Sequence, residues 1–408
     1  MVAIFGFTRE KVIAAVQEMY TSVAVAPERP YHFPVGRDAC RRVGYPEVLL
    51  EGLAEEALRA FAGVGCPFRA EVIRAGDTVL DIGAGAGTDT LIAARLAGPR
   101  GRIFALDITP AMARRLRELV TRHGIANVEV IEGNAEEIPL PAASIDVVTS
   151  NGMLNLVPDK RKAVAEIFRV LRPGGHVQIA DIVIRRPVTL DCATDPKLWA
   201  ECVVGASIHE DYLAMFSDAG FKDLTVLRDH DYFALSPSEE TRHIAHRFGA
   251  HAIEFVMQRG ATAPSKLVQL LQRADPRRML RALARRGLAG TAALVLSFLA
   301  CYGTLAVTAL LSLAGVTLAI NPALWAGTIV VFGALSAAAV AAGVRLHRGY
   351  AAPGFAVGGA AALTYVQFVD YSARFELVAF VLLAAGVALD ILGRRKSEAA
   401  LARAASGN

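Results

Sequence analysis

The sequence predicts an α/β chain: a doubly wound, mostly parallel sheet, followed by an all-α domain of four transmembrane helices. Three observations predict it. A glycine-rich loop, with Gly83, Gly85 and Gly87 behind Asp81, follows a short apolar run, Thr78–Leu80. Strand and helix patterns then alternate up to Ile184. Finally, Leu288–Leu392 is strongly apolar, in a chain of 54% hydrophobic residues and mean hydropathy +0.39, high for a soluble protein.

The leader, residues 1–44, starts with a helix that Thr8 can cap, running to about Tyr20 with Val12, Ile13, Val16 and Met19 on one face. Its first apolar run is too short for a signal peptide, and no basic region precedes it. Pro27, Pro30 and Pro34 then force extended backbone. The main domain spans 45–260. A helical pattern with Val48, Leu49, Leu53 and Leu58 leads into a Gly/Pro stretch, Phe61–Phe68, placed to wrap over the mouth of a site. Strands are expected at Thr78–Asp81, Arg102–Asp107, Val128–Glu132, Ile145–Ser150 and His176–Ile184. The helices between them fall near Asp89–Leu96, Pro110–His123 and Asp159–Leu171. Thr109 and Pro110 make a helix start, and Arg172–Gly175 makes a sharp turn into the fifth strand. Leu198–Phe216 reads as helix, Asp223–Leu227 and Ala250–Met257 as a closing antiparallel hairpin, and Ser236–Arg247 as a polar helix capped by Ser238.

Residues 261–287 form a basic amphipathic linker in which Arg277, Arg278, Arg281, Arg285 and Arg286 interleave with leucines, the composition of a membrane-surface anchor. Four spans are expected in 288–393, at about Leu288–Leu313, Leu324–Val344, Gly354–Val369 and Leu377–Leu392. Basic flanks alternate sides, which places both termini and the α/β domain in the cytoplasm of a multi-pass membrane protein. Residues 394–408 are a tail. A net charge of +4 is too small to argue for nucleic acid. Five scattered cysteines argue against a disulfide framework. No protein partner is implied.

The glycine loop lets a ligand approach the backbone. Asp107 ends the second strand about 20 residues beyond Gly87, where an acid takes ribose hydroxyls in nucleoside-binding sheets. The spacing is DxGxGxG rather than GxGxxG, and together with LRPGG (Leu171–Gly175) it resembles the class I S-adenosylmethionine-dependent methyltransferases, whose fold is Rossmann-like. That resemblance implies S-adenosyl-L-methionine as cofactor. Gly83, Gly85 and Gly87 would approach its methionine end and ribose, and Asp107 its ribose hydroxyls. Asn134, Ala135 and Glu136 would meet the adenine edge, and Asp81 would hold the loop amides or the cofactor's ammonium. Asn151, just past the fourth strand, joins this set. In many such enzymes a leader covers the cofactor; packing on the core is the alternative.

Within that group, Gly44–Phe221 resembles the arsenite methyltransferases, through GVGCPF (Gly63–Phe68), SNGMLNLVPDK (Ser150–Lys160) and LWAECVVGA (Leu198–Ala206). In that family three cysteine thiolates hold trivalent arsenic, a soft acceptor suited to soft ligands. The resemblance makes Cys66 and Cys202 arsenic ligands and catalytic residues; the alternative is that both are ordinary buried side chains. The family's remaining site cysteine falls where this chain has Gly152, which leaves Cys40 in the leader as the candidate third ligand. A lipophilic acceptor drawn from the bilayer, or a metal transporter that binds the cofactor without turnover, are the other readings. The spans loosely resemble MerC-type proteins, with the cysteine pair of span one reduced to Cys301 and Thr304. His243, His246 and His251 suggest a metal cluster, but only the first two share a helical face and no acid or thiol joins them, so a polar surface is expected. His209, Glu210 and Asp211 flank a pocket or begin a solvated helix.

Overall fold

In the computed structural model the described residues are 8–187, 205–264, 283, 288–304, 321–347 and 349–405. The chain divides into two units, Met1–Gln272 and Arg273–Asn408. Most of the basic linker lies outside the described residues, as do Cys192 and Cys202.

The first unit is built on β1 (Thr78–Ile82), β2 (Arg102–Asp107), β3 (Val128–Glu132), β4 (Ile145–Asn151), β5 (Leu171–Ile184), β6 (Ser207–Ile208), β7 (Phe221–His230) and β8 (His251–Arg259). The order is β3-β2-β1-β4-β5-β8-β7, with β6 beside β5. The pairs from β3 to β5 are parallel, and β8 runs antiparallel to both β5 and β7. Helices α1 (Arg9–Val25), α2 (Arg37–Val43), α3 (Glu47–Leu50) and α4 (Glu55–Arg59) precede the sheet. Helices α5 (Thr88–Ala97), α6 (Pro110–Arg122), α7 (Lys160–Val170), α8 (His209–Ala219) and α9 (Glu239–Phe248) connect its strands. Alternation along the strands splits the core: Val79 and Ile103 pack on one face, Leu80 and Phe104 on the other. The second face ends in an aromatic cluster in which Phe216 meets Tyr212, Phe221 and Phe255 at 5.5–5.9 Å between ring centroids.

Two expectations are corrected. Strand β5 begins at Leu171 because Leu171 pairs with Ile145, and an irregularity in β4–β5 pairing absorbs the Arg172–Gly175 turn. The helix expected over Leu198–Phe216 starts only at His209, with residues 198–204 outside the described residues. Ser207 and Ile208 are strand instead, since pairing of β4 with β5 stops at Ala180 and leaves Val183 and Ile184 an open edge, which β6 fills.

In the second unit, α10 (Ala289–Phe298) runs into a wide turn at Leu299–Gly303, and α11 (Pro322–His347), α12 (Ala351–Phe368) and α13 (Ala373–Ala405) follow. Small residues let α12 and α13 meet closely: a Cβ on Gly359 would stand 2.7 Å from the Leu383 nitrogen, and one on Gly386 would stand 2.7 Å from the Ala356 nitrogen. Polar groups turn inward. Ser297 Oγ donates to the Ile329 carbonyl at 2.9 Å, and the Cys301 thiol to buried Glu376 at 3.0 Å. Large apolar side chains turn outward, among them Leu335, Phe355, Val357, Val378 and Val381. Two stretches, Ala323–Val344 and Ala373–Arg394, are long and apolar enough to cross a membrane. Helix α12 has 18 residues, about 27 Å, short of a typical hydrocarbon core. The first expected span is followed only to Thr304, because 305–320 lie outside the described residues. Four spans are therefore not established.

Ser238 caps α9, its side chain accepting from the Thr241 amide, whereas Thr8 makes no such bond at α1. Ser238→Ala is expected to lower stability by about 1 kcal/mol and Thr8→Ala by much less, measured by denaturant unfolding.

Candidate active site

The order of strands reverses at β1, which has β2 on one side and β4 on the other, so a crevice opens at their carboxyl ends. The cleft there holds about 1020 Å³ including its open mouth. Its floor is the loop after β1, with Gly83 and Gly85; the loops after β2, β3 and β4 bring Asp107, Asn134, Ala135 and Asn151 to its rim. Ile13, Val16 and Tyr20 of α1 and Phe61–Gly63 form the facing wall.

Glycine is obligatory at two positions of the loop. Gly83 has φ +79°, and a Cβ there would stand 2.6 Å from Met153. Gly87 has φ +96°, and a Cβ there would strike Leu116 at 2.3 Å. Gly87 does not face the cleft; it seats α6 against the start of α5. The carboxylate of Asp107 ties two loops together, accepting from the Gly85 amide at 2.8 Å and from the Thr109 amide at 2.7 Å. Burial raises its pKa and those two N–H bonds oppose the rise.

Asn134 and Ala135 line the cleft. Glu136 does not: its carboxylate is buried against Arg9 at 2.8 Å, which holds α1 down over the sheet. Asp81 is also outside the cleft, buried, and accepts from Thr90 Oγ1 at 2.6 Å. Besides Asp107, the acid that reaches the cleft is Asp89, in the first turn of α5. Burial pushes both carboxyls well above their ordinary range, and the charge of Asp89 pushes Asp81 further.

Asn151 joins four segments. Its Oδ1 accepts from the Val64 amide at 2.8 Å and the Gly65 amide at 3.2 Å. Its Nδ2 lies 2.9 Å from the Tyr45 hydroxyl, 2.9 Å from the Gly65 carbonyl and 3.0 Å from Asp89 Oδ2. Tyr45 donates in turn to Asp89 Oδ1. Sequence reasoning missed Tyr45 and Asp89. Asp89 was visible only as a helix start, and Tyr45 sat at a domain boundary without a motif.

Cys66 lies beyond this pinned loop, 1% exposed. Its amide donates to Glu254 Oε1 at 3.1 Å, and Glu254 also meets Arg69 at 2.6 Å and Arg228 at 3.3 Å. Burial, then the charges of Asp89 and Glu254, push the Cys66 thiol up to about 12. Cys40 is fully buried in the same core cluster, and its pKa is raised by burial and then by Asp89, with a smaller contribution from Cys66. Gly152 has φ +74°, and a Cβ there would press on Val64 at 3.1 Å. Left-handed backbone thus favours glycine at this position.

Residues 73–220 match the family model described as a methyltransferase domain. A ubiquinone/menaquinone biosynthesis C-methyltransferase UbiE from Escherichia coli is 30% identical over 198 residues, 43% of this chain and 76% of that protein. The chain belongs to the S-adenosylmethionine-dependent methyltransferases. An arsenite methyltransferase from Halobacterium salinarum is 38% identical over 187 residues, 45% of this chain and 47% of that protein. One from Aquipseudomonas alcaligenes is 33% identical over 172 residues, 40% of this chain and 50% of that protein. The chain thus spans about half the length of the arsenite methyltransferases it matches.

The residues present fit the cofactor. A glycine floor without side chains, an anchored carboxylate at the end of β2 and an asparagine after β3 meet in one cleft. Gly83, Gly85, Asp107 and Asn134 would hold it. S-adenosylmethionine supplies a methyl group on a cationic sulfur, open to displacement. Asp107 and the loop it ties would orient the cofactor, and the apolar wall of α1 would exclude water.

A carboxyl whose pKa is raised on folding stabilises the fold at low pH, where it keeps its proton. That contribution fades as pH rises from the ordinary carboxylate range, about 4, towards and past neutrality. Asp81→Asn keeps an acceptor for Thr90 and removes the charge. The melting temperature of the wild type is therefore expected to fall between pH 5 and pH 8 more steeply than that of D81N, read by calorimetry across that range. Parallel slopes would contradict it.

Proposed function

We propose that this methyltransferase transfers the methyl group to trivalent arsenic or a similar thiol-bound acceptor, and that its second unit holds it in a lipid bilayer with the catalytic unit and both termini in the cytoplasm. What supports the acceptor is the placement of Cys66, buried behind the loop whose residues 61–63 wall the cleft. The 38% identity to an arsenite methyltransferase points the same way. Cys66, Cys202 and Cys40 are the proposed ligands, with Cys40 standing in for the cysteine replaced by Gly152. Burial keeps Cys66 and Cys40 as thiols, so capture of arsenite exchanges each As–OH bond for an As–S bond, the thiol proton leaving with the hydroxyl as water. Displacement at the cofactor's methyl then needs only an acceptor lone pair in line with it.

The test is an assay of the full-length protein in detergent with labelled S-adenosylmethionine, arsenite and a thiol, read by mass spectrometry. Methylated arsenic is the expected product. Cys66→Ser and Cys202→Ser should each lower the rate at least about 10–100-fold, the loss seen even when a supporting partner of a ligand is removed. Binding of S-adenosylmethionine should survive in both variants. No arsenic product from a protein that binds the cofactor normally would reject arsenite. A second reading, a lipophilic acceptor from the bilayer, is favoured by the likeness to UbiE together with the outward apolar side chains of α11–α13. Turnover of such an acceptor, unchanged in Cys66→Ser, would establish it instead.

The membrane reading rests on polar groups inside and large apolar groups outside in α10–α13, the reverse of a soluble bundle. The full chain is expected to sediment with membranes and to resist alkaline carbonate. Release into the supernatant by carbonate would show peripheral attachment.

A further inference from the structure

We propose that His209, Asp229 and His251 form a binding site for one divalent transition-metal ion of the zinc class, at the edge of the sheet and separate from the cofactor cleft. The three residues are far apart in sequence and come from three elements. His209 opens α8 directly after β6, Asp229 is near the end of β7, and His251 opens β8. Sheet pairing sets them together: Val183 of β5 faces His251, and Asp229 faces Ile253 two residues further along β8.

The ligand atoms already converge. One atom from each residue lies within 4.8 Å of the other two. His209 Nδ1 is 3.0 Å from His251 Nε2, and His251 Nε2 is 3.7 Å from Asp229 Oδ2. Ligand atoms at zinc bond lengths of about 2.0–2.1 Å in a tetrahedron stand roughly 3.3 Å apart, so both distances need only small adjustments. The second ring nitrogen of His251 is committed. Its Nδ1 lies 2.9 Å from the Gly249 carbonyl, which can only accept, so the proton sits on Nδ1 and the Nε2 lone pair faces the cluster. This is the outer contact that fixes a metal-binding histidine in its tautomer. Without a metal, a proton on His209 Nδ1 fills the space between the rings, and the Arg185 guanidinium stands 3.5 Å from Asp229. Both yield to an ion: His209 changes tautomer, its proton passing to Nε2 and leaving the Nδ1 lone pair free, and Arg185, well exposed, swings away.

The donor set selects the metal. Two imidazoles and one carboxylate suit zinc and its neighbours; magnesium and calcium prefer all-oxygen sites, and a soft metalloid prefers thiolates. The site is therefore not a second arsenic site, and it does not depend on the arsenite reading. His251 is buried at 5% exposure while Asp229 is 40% exposed, so the ion would sit at the surface with a position left for water. Bound there, it would tie the end of β7 and the start of β8 to the start of α8.

The experiment is zinc titration of the full-length protein by calorimetry, with cobalt as a spectroscopic substitute. One equivalent is expected at this site, with a cobalt spectrum free of thiolate charge-transfer bands. His209→Ala and Asp229→Asn should weaken binding at least about 10–100-fold. His251→Ala should do the same, and since it is buried, circular dichroism and S-adenosylmethionine binding check that it folds. Zinc should raise the melting temperature of the wild type but not of H209A. The double variant His243→Ala with His246→Ala should bind as the wild type does. The proposal is overturned if the wild type takes up no zinc, if H209A and D229N bind unchanged, or if uptake is lost in Cys66→Ser or in the His243/His246 double variant instead.

Discussion

The catalytic unit depends on one side-chain amide. Asn151 fixes the loop that carries Cys66, reaches the start of the main domain through Tyr45, and meets the start of α5 through Asp89. Gly63 passes so close that a Cβ there would lie 2.4 Å from Nδ2. Nearly every group in this knot is buried, so each bond is made in a low dielectric and a missing one leaves a polar atom with no water to replace it. An aspartate in place of Asn151 would add a third buried acid beside Asp81 and Asp89; a leucine would strand the amides of Val64 and Gly65. An amide donates and accepts at once, which a carboxylate or a leucine cannot do, and this junction of four segments uses both.

Around that knot the site has two kinds of electrostatics. The cofactor side is organised by carboxylates: Asp107 is held by backbone amides, and burial raises the pKa of Asp81 and Asp89. The thiol side is apolar and pushes sulfur towards its neutral form. Glu254 stands between the sheet and the cysteine loop, balanced by Arg69 and Arg228, so the loop backbone is anchored to a neutralised charge.

The second unit follows a different rule. Ser297, Ser336, Glu376, Gly359 and Gly386 point inward, and many large aliphatic side chains, Leu335, Val357, Val378 and Val381 among them, point outward. In water such a surface invites aggregation; against hydrocarbon it costs nothing, and close backbone approach supplies the packing that the hydrophobic effect cannot.

The sequence by itself determined the α/β alternation, because strand and helix periods differ and glycine and proline mark their ends. The strands Arg102–Asp107 and Val128–Glu132 were legible to the residue, and so were the cap at Ser238 and the glycine loop. Local chemistry specifies these features, so a linear reading finds them. What lies between distant segments was decided by tertiary structure alone. Glu136 turns from the cleft because Arg9, 127 positions away, takes its charge. Asp89 rather than Asp81 reaches the cleft because helix α5 carries it there, beyond the strand that buries Asp81. His251 leaves the expected polar surface for His209 and Asp229 because antiparallel pairing brings the start of one strand to the end of another. No local pattern encodes such meetings; they follow from strand order and register, which form only when the whole sheet does.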